Sequence, residues 1–137
     1  MKKLLIATAL LLSTGTAFAQ QCGEEQASIT PISVIQGHAW QSPLLDQEVT
    51  TAGTVTANWT ADNELAGFFL QSNEPDDDPL SSEGIFVSVA NEQTFTEGDL
   101  VVVTGRVAEV NEQTRLVDVS AMQSCPQARP MPAPVTV

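Results

Sequence analysis

Basic residues are scarce in this sequence of 137 residues, in which five lysines and arginines face 17 aspartates and glutamates and give a formal net charge of −12. Tyrosine is absent, and there are only one histidine and two cysteines. So little positive charge cannot hold a nucleic-acid backbone by counterion release unless a divalent cation or a partner supplies more. The single histidine, His38, excludes a histidine pair for acid–base catalysis and a three-histidine zinc site within one chain. An enzyme is therefore the least expected class.

The N-terminus carries the pattern of a cleaved signal peptide over residues 1–19. Lys2 and Lys3 form a short positive region, residues 4–12 are apolar, and residues 17–19 (AFA) fit the small-x-small cleavage pattern. The apolar run is too short to span a membrane, which takes roughly 20 residues. We expect export to the periplasm or the medium. The mature chain would keep three basic residues and a net charge of −14.

The two cysteines, Cys22 and Cys125, lie near the two ends of the mature chain. An oxidising compartment favours a disulfide between them, and the chain-entropy model assigns roughly 4.7 kcal/mol to closing a loop of this length. A reactive or metal-binding thiol pair is the alternative, but there is no C-x-x-C spacing to support it. Beyond Cys125, the proline-rich residues 126–137 predict a disordered or extended tail.

The region between the cysteines predicts an all-β domain. Runs rich in β-branched and aromatic residues, separated by Asn, Asp, Glu, Gly and Pro clusters, cover residues 29–36, 48–58, 65–71, 84–90, 99–110 and 114–121. Residues 91–98 could hold one helical turn at most. Gly53 and Gly105, in the middle of the two longest runs, indicate bulges or a close backbone approach, as in a small closed barrel.

We therefore predict a domain over residues 20–125 that is a small five-stranded Greek-key barrel with an extra N-terminal strand. The strand count and the length match the oligonucleotide/oligosaccharide-binding (OB) fold. A seven-stranded sandwich would need more chain than remains before the tail. We find no internal repeat and no second domain.

Candidate ligand residues follow from this fold, because exposed aromatic side chains on the strand 2–3 face of OB folds stack on bases or sugars. Phe68 and Phe69 are adjacent and must point to opposite faces of a strand, so one of them belongs to the core. Phe86 is expected in the core. Trp40 and Trp59 could instead cover the ends of the barrel. The predicted ligand-binding residues are Trp59, Phe68, Phe69, Arg106 and Arg115.

An acidic segment over residues 73–83 separates two predicted strands. Its carboxylates are hard oxygen ligands that suit Ca²⁺ or Mg²⁺ at the weak, extracellular end of the affinity range. The predicted metal ligands are Asp76, Asp77, Asp78 and Glu83. The spacing is not that of an EF-hand, and adjacent aspartates cannot all point inward from an extended chain. A solvated acidic loop is the favoured alternative, as is a solvated loop position for His38.

Several ordered blocks resemble the OB-like domain of secreted bacterial nucleases of the endonuclease/exonuclease/phosphatase superfamily. The similar blocks are Ile35-Gln36-Gly37, Ser42-Pro43-Leu44, Gln47-x-Val49-Thr50, Gly53-x-Val55-Thr56-Ala57, Gly67-Phe68-Phe69-Leu70-Gln71, Asp76 to Pro79, Gly84-Ile85-Phe86-Val87 and Gly98-Asp99-Leu100-Val101-x-Val103-Thr104-Gly105, with Cys22-Gly23 and Cys125 at the flanks. In that family the module precedes a larger catalytic domain around a divalent metal. We expect this chain to lack that domain and its chemistry.

Three functions from different classes remain open. The resemblance implies a secreted, non-catalytic OB module that binds single-stranded nucleic acid or a nuclease chain. The acidic composition favours a periplasmic OB-fold stress protein that binds small ligands, metal or cationic peptides. A structural or assembly domain without a small ligand is the third.

Overall fold

The computed structural model describes residues 28–125, which form one short helix and five strands. These elements are α1 (Ile32–Gln36), β1 (Glu48–Trp59), β2 (Gly67–Gln71), β3 (Gly84–Ser88), β4 (Leu100–Val110) and β5 (Gln113–Cys125). The strands close into a barrel in the order β1-β2-β3-β5-β4. Neighbouring strands are antiparallel except β3 and β5, which are parallel. The prediction of an all-β domain with five barrel strands is confirmed.

Alternation along the strands decides which side chains fill the barrel. Phe68 and Leu70 on β2 face inward together with Ile85 and Val87 on β3, and each is at most 1% exposed. Inward positions on β1, β4 and β5 complete the same cluster with Val49, Val55, Val101, Val103, Val107 and Leu116. Because full burial of such a side chain stabilises a fold by roughly 1.5–3 kcal/mol, this shared interior is the main source of stability.

Gly53 in β1 and Gly105 in β4 lie where a neighbouring strand comes close. A Cβ atom at Gly53 would lie 2.7 Å from the carbonyl oxygen of Gln71, so β1 and the end of β2 can approach only without a side chain here. The β4–β5 register shifts between Thr104 and Arg106, around Gly105. Such an irregularity bends a strand and increases its twist. The expected close approach and bulge are both found.

Residues 29–36 do not form the predicted extra strand. Ile29 makes only an isolated parallel bridge to β1, and the following residues form α1, in which the Ile35 amide donates to the Pro31 carbonyl at 3.2 Å. Ile32 and Ile35 lie on one side of this turn and join the core at 1% and 0% exposure. Burial of this pair outweighs the β-propensity of a run rich in isoleucine and valine.

Residues 91–98 contain no helical turn and pass along the barrel as an irregular segment. The Phe95 ring enters the core 4.7 Å from the ring centroid of Phe68. The side-chain amide of Asn58 holds the segment by donating to the carbonyls of Gln93 (3.2 Å) and Phe95 (2.8 Å). Further hydrogen bonds join the Gln93 amide to the Thr60 hydroxyl at 2.8 Å and the Gly98 amide to the Val55 carbonyl at 2.9 Å, so the long β3–β4 connection is fixed to β1 at several points.

The turn between β4 and β5 has two residues, whereas three residues, 111–113, separate the predicted strand runs. Asn111 and Glu112 form it with φ of 50° and 65°, and Gln113 already begins β5. Two successive positive φ values are the mark of the tight hairpin turn that matches strand twist.

The predicted signal peptide, the proline-rich tail and Cys22 lie outside the described residues, and so does the disulfide expected between Cys22 and Cys125. Within residues 28–125, no helix has the length and apolar character needed to cross a bilayer.

Candidate functional site

Three aromatic side chains meet on the outer surface of β2 and β3. Phe69 pairs with Phe86 in the β2–β3 register, and Phe69 faces outward because its neighbours Phe68 and Leu70 face the core. The ring centroids of Phe69 and Phe86 are 5.2 Å apart, and those of Trp59 and Phe69 are 5.8 Å apart. Both contacts are edge-to-face, which is a favourable aromatic geometry.

Gly67 makes room for this cluster. It lies between Trp59 on β1 and Ser88 on β3 in the strand registers. A Cβ atom built at Gly67 would lie 2.6 Å from Cε1 of Phe86, and closer still to Cζ of Phe86 and the carbonyl oxygen of Val87. The Phe86 ring can therefore lie across the start of β2 only where there is no side chain.

Arg115 extends the aromatic cluster onto β5. It pairs with Phe86 in the parallel β3–β5 register, and its guanidinium carbon lies 4.9 Å from the centroid of the Phe86 ring. Its Nη2 donates to Oε1 of Gln113 at 2.7 Å, and its Nη1 lies 3.5 Å from the Ser88 hydroxyl. The Nε atom is buried and donates to no acceptor among the described residues.

The two described arginines differ in charge environment. Arg106 forms ion pairs with Asp46 at 3.2 Å and with Asp118 at 2.9 Å, and it lies away from the aromatic cluster. No carboxylate of residues 28–125 lies within ion-pairing distance of Arg115. In a strongly acidic domain, a stacked guanidinium without a carboxylate partner is available to an anionic group of a ligand.

A cleft of about 290 Å³ lies over this cluster. Its floor is Trp59, Phe69, Phe86 and Arg115, and its rim is formed by the β1–β2 loop (Glu64, Leu65) and the β4–β5 hairpin (Asn111, Gln113). A wider cleft of about 550 Å³ continues across Phe69 and Phe86 to His38 and Trp40. Because both clefts share the same two phenyl rings, they form one elongated surface.

The structure brings together three of the five predicted ligand residues, namely Trp59, Phe69 and Arg115. Phe68 is fully buried, and Arg106 is held in its ion pairs, so neither reaches the cleft. Phe86 was expected in the core; it is 4% exposed, but Phe69 and Arg115 cover it on the outer surface. Phe86 lies opposite Phe69 because of the register between β2 and β3, and the sequence of neither strand predicts that register.

The acidic segment is folded by local hydrogen bonds between β2 and β3. The Asp78 amide donates to Asp76 Oδ1 at 3.1 Å, and the Leu80 amide donates to Asp78 Oδ1 at 2.9 Å. The Ser81 hydroxyl donates to the Asp76 carboxylate at 3.0 Å. The carboxylates thus act mainly as caps for the loop's own backbone.

Glu83 is the buried member of this segment, with 5% exposure. Its Oε1 accepts a hydrogen bond from the Asp76 amide at 2.9 Å, whereas its buried Oε2 has no partner among the described residues. Burial raises the pKa of Glu83, and the adjacent Asp76 carboxyl raises it further. A hydrogen bond between the two carboxyl groups lowers the pKa of Asp76.

The four predicted metal ligands are not brought together as a metal site. Residues 28–125 contain no group of three or more histidine, cysteine, aspartate or glutamate side chains placed to hold one ion. Asp78 instead lies against His38, with 2.6 Å between Oδ2 and Nε2. His38 therefore contacts the acidic segment and is not simply a solvated loop residue.

Comparison with known proteins finds no family model, no curated protein and no solved structure that matches this chain.

Proposed function

We propose that this chain is an exported, non-catalytic OB-like module that binds a short stretch of single-stranded nucleic acid. The observation that carries the proposal is Arg115, which stacks on Phe86, has no carboxylate partner within residues 28–125 and lines one cleft with two further rings. Aromatic side chains stack on any base, and a guanidinium pairs with a phosphate.

The position of the cleft supports an OB-like assignment. The strand order β1-β2-β3-β5-β4 forms a closed barrel, and the cleft lies on β2 and β3 between the β1–β2 loop and the β4–β5 hairpin. OB folds bind oligonucleotides and oligosaccharides on the strand 2–3 face between these two loops. The resemblance to secreted nuclease accessory domains points to the same class of ligand.

The acidic remainder of the domain limits this binding. The described residues contain many carboxylates and only one arginine without an ion pair, so a long polyanion is repelled beyond the cleft. We therefore propose contact with one or two nucleotides and a requirement for Mg²⁺ or Ca²⁺ to screen the rest.

The test uses the Trp40→Phe variant, in which Trp59 is the only tryptophan. Short oligothymidylates added at low salt with Mg²⁺ should quench Trp59 emission. Arg115→Gln should weaken binding about tenfold, because hydrogen bonds to charged groups contribute about 1.5–3 kcal/mol. Arg106→Gln removes the same charge at an exposed ion pair and should change the affinity less than about twofold.

Equal losses in the two arginine variants would show attraction by net charge alone and would refute the site. Tight binding in EDTA at physiological salt would refute the requirement for a divalent cation. Absence of quenching with any oligonucleotide under the low-salt conditions would refute the proposed ligand class.

A further inference from the structure

Two large hydrophobic side chains project from the domain beside the acidic segment. Trp40 is 93% exposed and Leu80 is 73% exposed, the highest values among the large hydrophobic residues of the described part. Trp40 is not part of the edge-to-face cluster formed by Trp59, Phe69 and Phe86. Neither exposed side chain therefore contributes to the barrel core or to the arginine end of the cleft.

The contact between His38 and Asp78 joins the two loops that carry these side chains. Trp40 follows His38 by two residues, Leu80 follows Asp78 by two residues, and His38 and Asp78 are in contact at 2.6 Å. The loops that carry them are fixed on either side of that contact. The Leu80 amide is capped by Asp78, and the Ser42 amide, just after Trp40, donates to Glu109 at 2.9 Å. We call Trp40, Leu80 and the carboxylates between and beside them the anchor surface.

The rim of the anchor surface is acidic. Asp77 is exposed beside Asp78, and Glu112 lines the same cleft as Trp40. Neither residues 37–42 nor residues 73–84 include a lysine or an arginine, and none lines that cleft. The negative charge at this end of the molecule disfavours contact with a nucleic-acid backbone, and a second copy of the chain would bring like charges together.

We propose that the anchor surface docks a basic protein partner, one whose apolar pockets are bordered by lysine or arginine side chains. Exposed aromatic and aliphatic anchors surrounded by charge are the arrangement of interface hot spots, in which a few desolvated side chains provide most of the affinity. Complementary charge on the partner speeds association and selects against acidic surfaces. The anchor side chains Trp40 and Leu80 are distinct from Trp59 and Arg115, so variants of the two pairs separate this inference from the nucleic-acid proposal.

The experiment uses the Trp59→Phe variant, in which Trp40 is the only tryptophan. The probes are three tryptophan-free peptides of equal length, alternating lysine with leucine, lysine with serine, and glutamate with leucine. The lysine–leucine peptide should shift Trp40 emission to the blue and bind about tenfold more tightly than the lysine–serine peptide. The glutamate–leucine peptide should not bind.

Leu80→Ala should weaken binding of the lysine–leucine peptide about tenfold, whereas Val34→Ala, on an exposed position of α1, should leave it unchanged. Equal binding of the two lysine peptides would show charge attraction without anchors and overturn the proposal. Equal losses in Leu80→Ala and Val34→Ala, or binding of the glutamate–leucine peptide, would do the same. A blue shift with phosphatidylcholine vesicles alone would assign Trp40 to a lipid surface instead.

Discussion

Replacing Gly67 with alanine tests whether the aromatic cluster is built on the absence of a side chain. The added Cβ would lie 2.6 Å from Cε1 of Phe86 and even closer to the Val87 carbonyl oxygen. A ring can rotate away, but the backbone oxygen belongs to a paired strand and cannot move alone. Overpacking of this kind destabilises by about 1–3 kcal/mol. For a domain of this size, that corresponds to a melting temperature lower by roughly 10 °C.

The assay is urea unfolding monitored by circular dichroism, with Gly84→Ala as the matched control. A Cβ at Gly84 would meet only the Leu70 carbonyl oxygen at 3.6 Å, an ordinary contact. Gly67→Ala should also change the emission of Trp59, whose neighbour across β1 and β2 is Gly67. A Gly67→Ala protein as stable as Gly84→Ala would refute the packing of Phe86 across β2.

Two further substitutions test the loops around the barrel. Asn58→Ala should destabilise the fold by about 1–3 kcal/mol in urea unfolding, because the carbonyls of Gln93 and Phe95 lose their donor. Burial and the Asp76 carboxyl raise the pKa of Glu83 above 4.5, so the stability that Glu83 contributes is lost as the pH rises through the raised value. Glu83→Gln should therefore melt higher than the parent at about pH 7.5, with a smaller difference near pH 4.5.

The controls for these substitutions are exposed residues of the same type. Asn63→Ala should leave the free energy of unfolding unchanged within about 0.5 kcal/mol. Glu112→Gln should not reproduce the pH-dependent gain of Glu83→Gln, because Glu112 lies at the exposed hairpin turn. If Asn63→Ala destabilised the fold as much as Asn58→Ala, the hydrogen bonds from the Asn58 amide would not be the cause of the loss. A gain from Glu83→Gln that is equal at both pH values would contradict a titrating Glu83.

The strands could be predicted from the sequence because a half-buried strand alternates apolar and polar side chains. The runs at 48–58 and 99–110 reappear almost unchanged as β1 and β4. The prediction of a strand at residues 29–36 was wrong, because a short apolar run has no reliable period. Ile32 and Ile35 are buried just as well from a helical turn. The sequence thus predicted the core in outline, but it did not predict that α1 would be a helix rather than a strand.

The candidate site could be predicted from the sequence only in part. Adjacent phenylalanines guarantee that one ring faces outward, but the core contacts of Phe68 decide that it is Phe69. Arg106 and Arg115 look equivalent in sequence. Only the fold gives Arg106 two aspartate partners and places Arg115 over Phe86. Ion pairing and stacking depend on neighbours that are distant along the chain.

By itself, the sequence determined the scarcity of positive charge, the single histidine and the alternation that makes a small β-domain. These properties follow from the amino-acid composition and from the local spacing of apolar residues, which folding does not change. The tertiary structure alone decided where charge is neutralised. Within residues 28–125 it leaves Arg115 on an aromatic surface without a carboxylate partner, and it places the Asp78 carboxylate against His38. Net charge is a sum over residues, whereas recognition depends on which of those residues the barrel brings together.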